Sequence, residues 1–328
     1  MKRSMPCAGS ARAIAAPALV LAAAMALTSL GASCATDAVR RQAVAWTEIG
    51  NAWAELEKWD KAGDAWSRAM ALDPGQAVAG YNLSRALAEA GKYDESIAMS
   101  DTYLATDPDN AAVLAVKAYA LHKASRSDAA LAVYERVVTL NGGDSASLFN
   151  LAVLYESAGR REDALARYDD ILKLKPDDAP ASYRKGLILA AAGNAEAALP
   201  FIQRYADANA DSSEARLSLA VVQEAAGSFA AAMETYATIV AKDGNDADAW
   251  FALARLRLTV AGDVSGGLEA LDKAIAKGWK DAAQAEALLG SPKLVAADKV
   301  REALTAAGLT GESTSTLTPV VLSAPSTP

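Results

Sequence analysis

Few side chains in this chain could make or break bonds. There is one histidine, His122, and there are two cysteines, Cys7 and Cys34, in 328 residues. Everything after Cys34 is free of thiols. A lone histidine cannot build a metal centre, and with no nucleophile positioned beside it cannot run acyl transfer. No phosphate-cradling GxxxxGK[ST] loop, dinucleotide-type GxGxxG turn or GxSxG nucleophile elbow occurs. The stretch 243–248, with Asp243, Asn245, Asp246 and Asp248, lacks the spacing and closing glutamate of a calcium loop. It lies at a turn, where Asp and Asn are expected to cap the next helix. The chain is therefore expected to be no enzyme and to use neither cofactor nor metal.

Cys34 is the exception with a chemistry of its own. Lys2, Arg3 and Arg12 precede an uncharged run to Thr36 whose strongly apolar part, 13–27, is short for a membrane span and contains Pro17. That layout predicts a secretory signal over 1–33. The sequence Leu30-Gly31-Ala32-Ser33-Cys34 resembles a bacterial lipobox, which implies a lipid on Cys34. It departs from that pattern in having Gly31 where an aliphatic residue is usual, with Leu30 one place early. Ordinary cleavage after Ser33, Cys34 or Ala35 is the alternative. The expected location is outside the cytoplasm, anchored by lipid to a bacterial membrane and facing the periplasm, or else soluble and periplasmic or secreted. Removing 1–33 takes away three positive charges, so the formal charge goes from -8 to -11. An acidic chain without clustered Lys and Arg is no nucleic-acid binder.

The elements that must position everything else repeat. Written in lines of 34 from Ala43, the chain returns in register six times, then a seventh time with one extra residue. The eighth position holds Gly50, Ser84, Ala118, Ala152, Gly186, Ala220 and Ala254, and the twentieth holds Ala62, Ser96, Ala130, Ala164, Ala198, Ala232 and, after the insertion, Gly267. Large apolar residues recur at the eleventh position (Trp53, Leu87, Leu121, Tyr155, Leu189) and the twenty-fourth (Trp66, Tyr134, Tyr168, Ile202, Tyr236, Leu271). Each line carries two amphipathic stretches split by a turn such as Ala90-Gly91-Lys92, which predicts an antiparallel helix pair. Small residues at positions eight and twenty let the two helices cross closely. No strand-period segment stands out.

This pattern resembles the tetratricopeptide repeat family, through Trp46, Gly50, Trp53, Ala62, Trp66, Ala69 and Pro74 in the first line and Leu148, Ala152, Tyr155, Ala164, Tyr168 and Pro176 in the fourth. The resemblance implies an all-α, right-handed superhelical solenoid of about seven helix pairs. The repeats are 43–76, 77–110, 111–144, 145–178, 179–212, 213–246 and 247–281, after a short linker at 34–42. Two helices, 282–289 and 293–307, are expected to cap the stack, with a Ser/Thr/Pro tail from 309 to 328 read as disordered. Trp46, Trp53, Trp59 and Trp66 fall on packing positions of the repeat, which favours core over a carbohydrate cage. Pro200, inside the second helix of repeat five, is expected to bend it.

In the family, first helices line a concave face through positions two, five, nine, twelve and thirteen. Position five reads Thr47, Tyr81, Ala115, Phe149, Tyr183, Leu217 and Phe251, flanked by Arg85, Tyr119, His122 and Arg255. An aromatic row with polar neighbours suits an apolar or helical peptide. The alternative is that these rings fill space between adjacent first helices, and His122 is either solvated or groove-facing. The carboxylate-clamp subtype is not matched: Asn51 and Asn82 are present, but Thr47, Ala112 and Val116 stand where its cations belong. The resemblance thus implies a non-catalytic interaction scaffold of the cell envelope, with another envelope protein or peptide as partner. A self-associating repeat protein, or an accessory subunit of an envelope transport or assembly complex, is the alternative.

Overall fold

The computed structural model describes residues 35–73, 77–105 and 107–310. Cys34, Pro74 and the tail beyond 310 lie outside the described residues, as does the signal segment. Sixteen α-helices and no strand occur among them, and they fall into two compact modules divided between Pro176 and Asp177.

The N-terminal module holds four helix pairs: α1 (Ala35–Glu55) with α2 (Trp59–Leu72), α3 (Ala77–Glu89) with α4 (Tyr93–Leu104), α5 (Ala111–Lys123) with α6 (Ser127–Leu140), and α7 (Ser145–Ser157) with α8 (Arg161–Leu174). The C-terminal module holds α9 (Ala179–Ala191) with α10 (Ala195–Ala208), α11 (Ser213–Ala225) with α12 (Phe229–Lys242), and α13 (Ala247–Leu256) with α14 (Val264–Ala276). It closes with α15 (Ala282–Leu289) and α16 (Ala297–Ala306). Within each module consecutive helices pack on one another as far as α14, and α16 packs on both α14 and α15. α1 starts earlier than the sequence suggested. The expected linker is helical from Ala35, since 35–42 has no Gly or Pro and half of it is Ala and Arg, both good helix formers.

The pair turn has one geometry. Position fifteen is left-handed in Glu57, Gly91, Ser125, Gly159, Gly193 and Gly227. At Gly91 the two bonds that close the helix end are Gly91 N–H to Ala88 O, 3.1 Å, and Lys92 N–H to Leu87 O, 2.8 Å. Ser125 and Arg126 repeat them to His122 O and Leu121 O. The third to seventh pairs each start on a side-chain cap at position thirty-four of the repeat before. Asn110, Asp144, Asp178, Ser212 and Asp246 each accept a backbone N–H from the first turn. Asp246, in the acidic stretch 243–248, accepts from Ala249 N at 2.9 Å.

Helix crossings are tight at position eight. A Cβ on Gly50 would collide with the Trp66 indole, and one on Gly186 with Ile202. The indole that takes the space at Gly50 is also tethered, donating to Thr47 O at 3.1 Å and Asn51 Oδ1 at 3.2 Å. Repeat two solves the crossing with hydroxyls. Ser96 Oγ donates to Ser84 O (2.7 Å), Ser84 Oγ to Ser96 O (3.2 Å), and the Ser84 and Ser100 hydroxyls are 2.6 Å apart, all fully buried. α10 runs unbroken through Pro200.

The extra residue of the seventh repeat is absorbed by a turn of π-helix, Arg257–Ala261, at the end of α13. The N–H groups of Gly262 and Asp263 both donate to Arg257 O, which leaves Leu258 O without an intrahelical donor. Val295 N–H takes it, at 3.0 Å. This draws 294–296 across the π turn and puts Ala296 in the left-handed region, so the last helix begins at Ala297 and not at Lys293 as the periodicity suggested. Beneath it Phe251, Leu258, Leu271, Trp279, Val300 and Leu304 form a closed core.

Candidate functional site

The first helices of the N-terminal module, α3, α5 and α7, bound a groove of about 430 Å³. Tyr81, Arg85 and Tyr119 form its walls, Ala112 and Ala115 leave it wide, and Tyr134, Asn150 and Asp144 form its floor. Three sequence-predicted residues are thus brought together. Arg85 is exposed and its guanidinium lies over the Trp59 ring, 5.6 Å from the centroid. Tyr119 carries Lys123 Nζ over its face at 5.7 Å, and burial, then the charge of Glu89, raises its phenol pKa.

The floor is polar and fixed. Tyr134 is 1 % exposed and its hydroxyl accepts from Asn150 Nδ2 at 3.0 Å, while burial holds its pKa far above the usual phenol range. Ser147 Oγ donates to Asp144 Oδ2 at 2.5 Å. The floor escaped sequence reading because Tyr134 sits at a packing position. The available signal was Asn150, an amide in a helix that is otherwise largely apolar. A groove with aromatic walls and polar groups at its base can hold a peptide segment by ring contact and backbone hydrogen bonds.

His122 is half-buried at the end of α5. Its Nδ1 is buried and meets no hydrogen-bond partner among the described residues. Burial first, then nearby Lys123, lowers its pKa. Phe149 is half-buried and packs edge-on against Tyr168, centroids 5.7 Å apart, outside the groove lining.

The C-terminal module corrects the rest of the row. Phe251 is 1 % exposed and stacks on Trp279 at 3.7 Å and 10°, so it is core and no contact surface. Tyr183 is 8 % exposed and stacks on Tyr205 at 4.1 Å, its hydroxyl 3.5 Å from Ser218 Oγ. Arg255 is paired with Glu224, which also accepts from Tyr236 Oη at 2.8 Å. Rings at position five become packing residues wherever a second ring lies opposite them. Asn51 and Asn82, the two residues that match carboxylate-clamp positions, are hydrogen-bonded to each other at 3.2 Å.

Comparison with known proteins bears on the repeats themselves. One model of the tetratricopeptide repeat matches residues 149–213, and a second matches 54–118 and again 189–256, together more than half the chain. The chain is a tetratricopeptide repeat protein. Solved structures similar to it include YrrB, described as a tetratricopeptide repeat protein with an unusual peptide-binding site (21 % identity, 55 % of this chain and 92 % of that one, TM-score 0.49). Another is a tetratricopeptide repeat protein of Parabacteroides merdae (15 % identity, 81 % and 98 %, TM-score 0.49). A third is the Thermus thermophilus repeat protein TTC0263 (18 % identity, 55 % and 98 %, TM-score 0.44). No curated protein matches. As a tetratricopeptide repeat protein the chain has the architecture of an interaction scaffold, in which stacked helix pairs present side chains from several repeats to one ligand.

Proposed function

We propose that this protein is a non-catalytic scaffold of the bacterial cell envelope, anchored by lipid at Cys34, whose N-terminal module holds a segment of another envelope protein. The observation that carries the reading is the groove between α3, α5 and α7. Its walls are Tyr81, Arg85 and Tyr119, residue types enriched where interfaces concentrate their binding energy. Its floor places the Tyr134 hydroxyl and the Asn150 amide, bonded to each other at 3.0 Å, beneath those walls. The envelope location rests on the charged, apolar and small-residue order of 1–33 and on the single cysteine that follows it.

A photoreactive amino acid in place of Tyr119, activated in intact cells, should crosslink one protein partner. The same residue in place of exposed Thr102 on α4 should not. Crosslinking from Thr102 with none from Tyr119 would move the interface off the groove. Intact-mass analysis of the exported chain should show acyl mass on an N-terminal Cys34. An unmodified N-terminus at Cys34 or later would remove the anchor from the reading.

A further inference from the structure

At position four a large apolar side chain wedges between helices in four of the seven repeats, as Trp46, Leu114, Leu148 and Trp250 do. Where the residue is small, the paired helix supplies the filling. Tyr103 occupies the space beside Gly80, and Arg204 Nη1 reaches Ser182 Oγ at 3.2 Å. Arg216 is the departure. It projects from α11 into a cavity of about 350 Å³ bounded by α10 and α12, on the second-helix side of the repeats. Its Nη1 is buried and meets no acceptor among the described residues.

The walls of that cavity are mostly acceptors, with one amide among them: Gln203 also lines it and its Nε2 donates to Asp207 Oδ1 at 2.8 Å. Asp207 and Glu234 line it, as do Thr235 and Thr238. Both hydroxyl protons are committed elsewhere, Thr235 to Gln223 Oε1 (2.8 Å) and Ala231 O (2.9 Å), and Thr238 to Glu234 O (2.9 Å). The cavity thus sets several oxygens and the Gln203 amide around the buried Arg216 Nη1, with Asp207, Glu234 and Thr238 open to solvent. A carboxylate would satisfy Arg216 but meet Asp207 and Glu234. An ammonium would suit the carboxylates but meet Arg216. A neutral group with one acceptor and adjacent N–H donors satisfies both, since a buried donor without an acceptor is the costlier defect.

We propose that the Arg216 cavity is a second binding site, specific for a carboxamide presented by a partner as an Asn or Gln side chain. The carbonyl oxygen accepts from Arg216 and the amide N–H groups donate to the Asp207, Glu234 and threonine oxygens. The site lies wholly in the C-terminal module and does not depend on the groove of the N-terminal one.

The test is an NMR titration of the whole isotopically labelled chain with three blocked amino acids: N-acetyl-glutamine methylamide and its glutamate and lysine counterparts. The glutamine probe should shift the Arg216 side-chain N–H and the Thr235 amide saturably, at least tenfold tighter than either charged probe. R216L should abolish the response with melting temperature unchanged or raised, because leucine is what repeats three and four carry there. T238M, which fills the cavity while leaving Arg216 in place, serves the same purpose if R216L does not fold. Equal or tighter binding of the glutamate probe makes this an anion site, and tighter binding of the lysine probe makes it an acidic one. No saturable response to any probe makes Arg216 a packing substitution only. Each of these three results overturns the proposal.

Discussion

The Val295 N–H donates to the Leu258 carbonyl across 3.0 Å, joining the C-terminal cap to a carbonyl released by the π turn of α13. The insertion that breaks the 34-residue period is therefore what the cap docks on. Deleting Ala261 should restore ordinary helical bonding, return Leu258 O to its own helix and leave Val295 N–H unpaired. The expected loss is about 1–3 kcal/mol in denaturant unfolding, with Trp279 fluorescence shifting toward that of an exposed indole. Undiminished stability would mean that the core beneath α16 holds the cap without this bond.

The left-handed turn position gives a prediction of opposite sign. Ser125 and Glu57 adopt φ of 60° and 55° where four other repeats carry glycine, and a side chain in that region costs roughly 1–2 kcal/mol. Ser125→Gly should raise stability by about 0.5–1 kcal/mol after glycine's greater unfolded-state entropy is deducted. Gly159→Ala should lower it by about 1–2 kcal/mol, through backbone strain alone, because an added Cβ at Gly159 touches nothing within 4 Å. Thermal melts of both variants check the pair.

His122 is the only histidine, so its titration can be followed without assignment. Its folded pKa is lowered, by burial and then by Lys123, so the unfolded chain binds the proton more readily. Stability is full above the unfolded value of about 6.5 and is lost as pH falls from there through the folded pKa. His122→Leu should flatten this loss below about pH 6.5 while leaving stability at pH 8 nearly unchanged. An imidazole that titrates at or above 6.5 in the folded protein contradicts the assignment.

Groove and core should separate cleanly under alanine substitution. Replacing Tyr81, Arg85 and Tyr119 together should weaken capture of the crosslinked partner by a hundredfold or more, on the basis of about 1–2 kcal/mol for each anchor, with the melt shifted little. Phe251→Ala should cost about 3–5 kcal/mol of stability, since it removes one face of the stack on Trp279. Partner affinity measured on the folded fraction should be unchanged. The reverse pattern would restore Phe251 to the interface.

Sequence period carried the fold a long way, because position eight must be small wherever a ring such as Trp66 or a branched side chain such as Ile202 crosses it. It carried the site less far. Tyr81 and Phe251 occupy the same register, yet one walls a groove and the other is core. The difference is Trp279, which follows α14 at a place no repeat position specifies. The left-handed Glu57 and Ser125 were invisible because neither is glycine. Ser100, the partner of Ser84, was passed over because a small polar residue at position twenty-four looks like a gap in the pattern until its hydrogen bond is seen. Arg216 stands at position four, which also carries Gly80 and Ser182, so no uniform residue type there marks it as a departure.

The three crossings Gly50 with Trp66, Ser84 with Ser100 and Gly186 with Ile202 are built from different materials. A recombined pair joining α3 to α2 would set an indole against a serine bonded for another hydroxyl. One joining α1 to α4 would leave a hollow the size of an indole beside Gly50. Growth of such a chain by duplication is then constrained to copy whole helix pairs. Exchange between repeats that cuts at the pair turn is disfavoured, while a cut at the Asp- or Asn-capped junction between pairs is tolerated, so the unit of inheritance in this protein is the matched pair and not the helix.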